Sequence, residues 1–320
     1  GVPDIAVASA FDDDGGNNRG SVWILFMYSN GMVKSHVKIT GGQGGFTGTV
    51  SNGDRFGSAI SAIGDLNGDG FTDLAVGSQL DNAGGAGRGA VWILFLDGTG
   101  TVISHQKISD VDGGFTGVLD DNDRFAQVTA IGDLNGDNIM DIAVGASLDD
   151  DGGSNIGAIW ILFLDTDGMV LGHQKISATQ GNFGGVLAAD DRFSNPADLG
   201  DVNGDGIPDI AVGTFYDDDG GTNRGAVWIL MLNADGTVKA EQKISSTEGN
   251  FGGALTDGDF FGLPVAALGD LNNDGVPDLA VAARQDDDGG TNKGALWILF
   301  LNGPDCLNIP CGKNGGKVQM

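Results

Sequence analysis

Five runs in this chain are apolar at consecutive positions: Val22-Trp23-Ile24-Leu25-Phe26 and its copies around Trp92, Trp160, Trp228 and Trp297. Consecutive rather than alternate apolar residues mean that both faces of the strand must be covered, which in an antiparallel all-β protein implies sheets stacked on either side. All five tryptophans share this register. A turn (Asp97-Gly98, Asp167-Gly168, Asp235-Gly236) then leads to an alternating, more polar run ending Val37-Lys38-Ile39, Gln106-Lys107-Ile108, Gln174-Lys175-Ile176 and Gln242-Lys243-Ile244. That pattern predicts an outer, half-exposed strand, with lysine placed to discourage pairing at the edge. Upstream of each tryptophan strand lies a short apolar run, Asp4-Ile5-Ala6-Val7 and its copies from Asp73, Asp141, Asp209 and Asp278. A further strand of small residues, such as Ser58 to Gly64, precedes four of these. Four strands per period, one of small residues and one apolar on both faces, describe a β-propeller blade. The expected fold is all-β: a β-propeller of four-stranded antiparallel blades, with five blade-like repeats of about 68 residues, the first and last incomplete.

Composition narrows this further. The chain has 320 residues, 40% hydrophobic and 19% charged, which suits a globular core rather than a disordered polyelectrolyte. Its 58 glycines follow no three-residue period, so collagen is excluded and a turn-rich β protein favoured. The formal net charge of −28 repels nucleic acid and anionic lipid, and makes divalent cations the natural counter-charge. No run approaches the length of a membrane span, and direct membrane insertion is not expected. Gly1-Val2-Pro3-Asp4 matches the end of a repeat, so the numbered chain reads as a processed or excised piece.

The candidate chemistry lies in a nine-residue loop between the small-residue strand and the short apolar run. In Asp65-Leu66-Asn67-Gly68-Asp69-Gly70-Phe71-Thr72-Asp73, oxygen side chains fall at positions 1, 3, 5 and 9. A hard cation needs such spacing if one short segment is to supply most of its ligands, and calcium is the expected ion. Position 7, Phe71, would add its backbone carbonyl, and Gly70 permits the sharp turn because it tolerates φ > 0. The same set recurs as Asp133, Asn135, Asp137, Ile139 and Asp141; as Asp201, Asn203, Asp205, Ile207 and Asp209; and as Asp270, Asn272, Asp274, Val276 and Asp278, at steps of 68, 68 and 69 residues. Asn138 replaces the glycine of the second loop and tolerates the left-handed conformation. Four Ca²⁺ would offset only eight of the 28 excess negative charges.

The pairing of Phe56-Gly57 with the downstream Asp65-x-Asn67-x-Asp69-Gly70-x-x-Asp73-Leu74-Ala75-Val76-Gly77 resembles the FG-GAP repeat, the blade unit of the integrin α-subunit β-propeller and of many secreted bacterial and archaeal proteins. The resemblance covers residues 1–302 and leaves 303–320 as a C-terminal tail, either a closing strand or a linker. It implies that the nine-residue loops bind Ca²⁺ on one face of the disc and that partners, protein or glycan, are met on the opposite face. It also implies an extracellular or cell-surface, secreted setting. Phe125-Ala126 and Phe193-Ser194 depart from the Phe-Gly pair and put the packing of that corner in question. Closure as a five-bladed ring, an arc of a longer chain, and completion by another protomer all stay open.

Other candidates carry less. The acidic loops starting at Asp12, Asp149, Asp217 and Asp286, each of three aspartates and two glycines, could hold a second set of cations, or be solvated turns neutralised by local Arg or Lys. His36, His105 and His173 recur in one register of the outer strand and are expected to be solvent-facing rather than a shared metal site. Cys306 and Cys311 could form a short disulfide. No carboxylate pair, nucleophile elbow or phosphate loop stands apart from the repeat. The expected function is therefore a noncatalytic, calcium-binding extracellular propeller for adhesion, ligand binding or surface assembly. The alternatives are a polysaccharide-active enzyme or its accessory domain, and a self-assembling filament subunit.

Overall fold

The computed structural model describes residues 2–302 and 316–318. Among them there are 19 strands and no helix, arranged as five antiparallel sheets. The first sheet has three strands, β1 (Ile5–Ser9), β2 (Ser21–Met27) and β3 (Val33–Ile39). The second has four, β4 (Phe56–Ala62), β5 (Leu74–Ser78), β6 (Ala90–Leu96) and β7 (Val102–Ile108). The third is β8 (Phe125–Gly132), β9 (Asp141–Ala146), β10 (Ala158–Leu164) and β11 (Val170–Ile176). The fourth is β12 (Asn195–Gly200), β13 (Asp209–Thr214), β14 (Ala226–Leu232) and β15 (Val238–Ile244). The fifth is β16 (Phe261–Gly269), β17 (Asp278–Ala283), β18 (Ala295–Leu299) and β19 (Gly316–Val318). Each sheet runs in sequence order, as in a β-propeller blade. As expected, the first lacks its small-residue strand. The outer strand of the fifth comes from the tail, with Trp297 opposite Lys317.

The burial of each strand follows from its residues. β5 and β6 are buried along their whole length, whereas β7 exposes Ile103 and Ser104 and buries Val102 and Ile108. Ile5 and Val7 of β1 remain 46% and 43% exposed, against 4% and 0% for Leu74 and Val76 at the same places in β5. The chain divides into two compact units through the strands of the third sheet. One comprises Gly1–Ala130, Ile139–Val144 and Leu162–His173; the other comprises Ile131–Asn138, Gly145–Ile161 and Gln174–Met320. In the first unit a core of Val22, Ile39, Phe46, Phe56, Val76, Trp92 and Leu94 joins the first two sheets. In the second, Val227, Ile229, Phe261, Val281 and Trp297 do the same for the last two.

The corner before each small-residue strand is built from paired phenylalanines. Phe46 stacks on Phe56 at 5.1 Å, and Phe115–Phe125, Phe183–Phe193 and Phe251–Phe261 repeat the pair at 5.2, 5.2 and 5.0 Å. Phe125 and Phe193 are as fully buried as Phe56 and Phe261, so alanine or serine after the phenylalanine leaves the corner packed. Just before it, Arg55, Arg124, Arg192 and Phe260 take φ of 58°, 60°, 57° and 54°. A non-glycine residue in that region needs its surroundings to hold it. Here the backbone N–H of Arg55 donates to the Asn18 carbonyl, and that of Phe56 to the Arg19 carbonyl, which ties the corner to the acidic loop of the preceding sheet.

Candidate metal centre

The nine-residue loops fold alike because their side chains take up the loop's own N–H groups. In the first loop Asp65 accepts from Asp69 N (2.9 Å) and Gly70 N (2.8 Å), Asn67 Oδ1 from Asp69 N (3.0 Å), and Asp69 Oδ1 from Phe71 N (3.0 Å). Asp201, Asn203 and Asp205 repeat this pattern, as do Asp270, Asn272 and Asp274. In the second loop Asp133 accepts from Gly136, Asp137 and Asn138, and Asn135 from Asp137. Asn138 takes φ 67° where the other loops have Gly70, Gly206 and Gly275 at 94°, 86° and 90°. Position 4 is also left-handed, as Gly68, Gly136, Gly204 and Asn273, a requirement that the ligand spacing alone does not reveal.

Position 9 joins the loop to the sheet. Asp73 is fully buried; one oxygen accepts from Leu66 N and the other from Leu96 N on β6, both at 3.0 Å. Asp209 does the same with Val202 and Leu232, and Asp278 with Leu271 and Leu301. Asp141 accepts from Leu164, and Asp4 in the first sheet accepts from Met27. Burial pushes the Asp73 carboxyl above its ordinary range, and the Asp69 and Asp65 carboxylates push the same way. For Asp209, burial and the Asp205 carboxylate raise it to about 6. A cation beside these oxygens would relieve both effects.

The donor set suits a hard divalent ion: three carboxylates and one amide oxygen per loop, with position-7 carbonyls at Phe71, Ile139, Ile207 and Val276 as further candidates. Among the described residues, however, no group of three His, Cys, Asp or Glu side chains is already gathered tightly enough to hold an ion. The loop oxygens are instead turned toward backbone N–H groups, each keeping further lone-pair capacity.

The acidic loops of the first four sheets are organised around lysine. Lys175 Nζ lies 2.7 Å from Asp149 and 2.6 Å from Asp151, and Lys243 Nζ lies 2.6 Å from Asp217 and 2.7 Å from Asp219. Lys38 bridges Asp12 and Asp14, and Lys107 reaches Asp81. Each ammonium also stands over the tryptophan of its own sheet, 5.1 to 5.4 Å from the ring centre. The middle aspartate is used separately: Asp13, Asp150, Asp218 and Asp287 accept from the backbone N–H of Asn18, Asn155, Asn223 and Asn292. The outer-strand lysine, read from sequence as an edge guard, is thus the counter-ion of the acidic loop.

The histidines also differ from expectation. His36 is exposed, but His105 and His173 are half-buried: their rings pack 5.0 and 5.1 Å from Phe46 and Phe115, and their Nε2 atoms lie 3.1 Å from the Thr47 and Thr116 hydroxyls. Burial lowers both pKa values. Cys306 and Cys311 lie outside the described residues. Among the described residues no helix is long and apolar enough to cross a membrane.

Comparison with known proteins bears on this architecture. The FG-GAP repeat family matches residues 56–94, 125–162 and 264–299, and the FG-GAP-like repeat family matches 201–281. The chain belongs to the FG-GAP repeat family and is an integrin-α-like β-propeller. It is 37% identical to integrin alpha-2 of Mus musculus over 141 residues, covering 43% of this chain and 11% of that protein. With integrin alpha pat-2 of Caenorhabditis briggsae it shares 30% identity over 241 residues, 70% of this chain and 17% of the relative. It is also 30% identical over 183 residues to phosphatidylinositol-glycan-specific phospholipase D of Bos taurus, 54% of this chain and 20% of that one. The chain therefore spans a fifth or less of the length of these relatives.

Proposed function

We propose that this chain is a noncatalytic, calcium-stabilised extracellular domain that binds a protein ligand, in the manner of an adhesion module. The observation that carries the reading is the fourfold recurrence of one loop geometry, in which aspartates at positions 1 and 5 and asparagine at position 3 cap the turn and a buried aspartate at position 9 ties it to the sheet. Ca²⁺ would be held by Asp65, Asn67, Asp69 and Asp73, by Asp133, Asn135, Asp137 and Asp141, by Asp201, Asn203, Asp205 and Asp209, and by Asp270, Asn272, Asp274 and Asp278. The ion supplies concentrated positive charge that holds these like-charged oxygens together. The acidic loops, in the first, third and fourth sheets already closed around a lysine, would present Asp13, Asp150, Asp218 and Asp287 to a basic protein surface. Similarity to chains named as integrin α subunits supports the adhesion class and the extracellular setting.

Calorimetric titration should show Ca²⁺ binding, and a chelator should lower the melting temperature, because an ion bound only to the folded state stabilises it by mass action. Identical melting curves in excess chelator and in millimolar Ca²⁺ would refute the metal part of this reading. The phospholipase D relative gives one specific reason to carry an enzyme-associated reading as well. Binding without turnover in parallel ligand-binding and hydrolysis assays would separate the two.

A further inference from the structure

The third nine-residue loop carries two contacts that the first and second loops lack a match for. In the others the position-3 amide donates across the loop: Asn67 Nδ2 to Asp69 Oδ2 (3.0 Å), Asn135 to Asp137 (3.0 Å) and Asn272 to Asp274 (2.9 Å). In the third, the Asn203 amide reaches Asp209 Oδ2 (3.4 Å), and Asp205 Oδ2 accepts from Lys239 Nζ at 2.6 Å. Lys239 is the second residue of the outer strand β15, half-exposed, and its ammonium also lies in the field of Asp209 and Asp201. It pairs directly with Asp205, and the charges of Asp209 and Asp201 act on it through space. The equivalent residues of β7 and β11 are Ile103 and Leu171, 57% and 68% exposed and without charge.

We propose that the Lys239 ammonium stands where a cation would be attracted in the third loop, so that this loop takes up Ca²⁺ more weakly than the first and second loops and its filling depends on salt. The proposal rests on the calcium reading of the loops. Before Ca²⁺ can use Asp205, the lysine must leave an ion pair and then remain within a few ångströms of a divalent charge. One unit of like charge at that range, in solvent-screened surroundings, weakens binding by about 3- to 30-fold. At the matching place β7 and β11 carry no ammonium, so the first and second loops should form one class and the third loop a weaker one.

The test is calcium calorimetry on the whole chain at low salt, comparing the parent with Lys239→Met and with Ile103→Lys, which places an ammonium at the matching exposed position beside the first loop. The parent should show a site at the third loop that is weaker than those of the first and second. Lys239→Met should bring the third-loop site to within threefold of the first and second, and Ile103→Lys should weaken the first-loop site by a similar factor. In 0.5 M KCl, where exposed charges are screened within about 4–5 Å, the gap in the parent should narrow. Tight calcium binding with superimposable parent and Lys239→Met isotherms would overturn this inference while leaving the loops as calcium sites. No calcium binding in the parent would overturn both.

Discussion

Replacing Lys175 by methionine keeps most of the side-chain length and removes only the charge, so it isolates the role of lysine in the acidic loop. The Lys175 side chain is 9% exposed and that of Asp149 only 2%, so the change strands a carboxylate that water cannot reach. Asp151 and the face of Trp160, 5.2 Å away, lose the same cation. Breaking a buried pair by removing one partner costs about 3–5 kcal/mol. At about 2–4 °C per kcal/mol this is a fall of roughly 6–20 °C in melting temperature. The sign with pH is fixed by the partner left behind. Burial already pushes the Asp149 carboxyl above its ordinary range, so without Lys175 it takes a proton more readily still, and the deficit should be largest at neutral pH and shrink on acidification. Adding Asp149→Asn and Asp151→Asn to Lys175→Met removes the stranded charges and should restore several degrees. Urea and thermal denaturation at pH 7 and pH 5 read all of this. A Lys175→Met variant that melts with the parent would refute the reasoning; one rescued specifically by Ca²⁺ would instead show that the acidic loop accepts a metal once its lysine is gone.

Asp54 and Asp191 are 3% exposed and raised to about 6, chiefly by burial and further by the Asp81 and Asp217 carboxylates respectively. Because the folded state holds these protons more tightly than the unfolded chain, stability from this source rises as pH falls through 6 toward 4. Between pH 7 and pH 5 the gain is on the order of 1 kcal/mol for each group, and chemical denaturation of an Asp54→Asn, Asp191→Asn double variant with Ca²⁺ present should show a flatter pH dependence. Asp73→Ala removes the acceptor for Leu66 N and Leu96 N inside the first loop and should cost roughly 2–4 kcal/mol. The part of that loss which persists in chelator measures the backbone tie rather than the metal, and no loss in chelator would exclude the tie.

Much of the fold could be read from repetition. The strand order, the buried tryptophan strand and the short first sheet all follow from pattern and period, because burial on one or both faces dictates which residues a strand can carry. The nine-residue loops were equally plain, since their ligand spacing doubles as the turn's own capping pattern. The lysine clamp is far less legible, although its spacing is regular: Asp12 and Lys38, Asp81 and Lys107, Asp149 and Lys175, and Asp217 and Lys243 are each 26 residues apart. Cross-strand pairing is what gives that spacing meaning, by setting Trp92 opposite Lys107 and Trp228 opposite Lys243. The half-burial of His105 and His173 was hidden for a different reason. It depends on Phe46, Thr47, Phe115 and Thr116 from the preceding repeat, and periodicity within one repeat says nothing about what its neighbour lays against it.

In the third and fourth sheets the acidic loop and the lysine that answers it lie within the same sheet's segment of chain. A duplication that copies one such segment therefore copies charge and counter-charge together, and the new unit arrives with its acidic loop already matched. An array made this way can lengthen or shorten by whole units without separating such a buried carboxylate from its lysine at the splice.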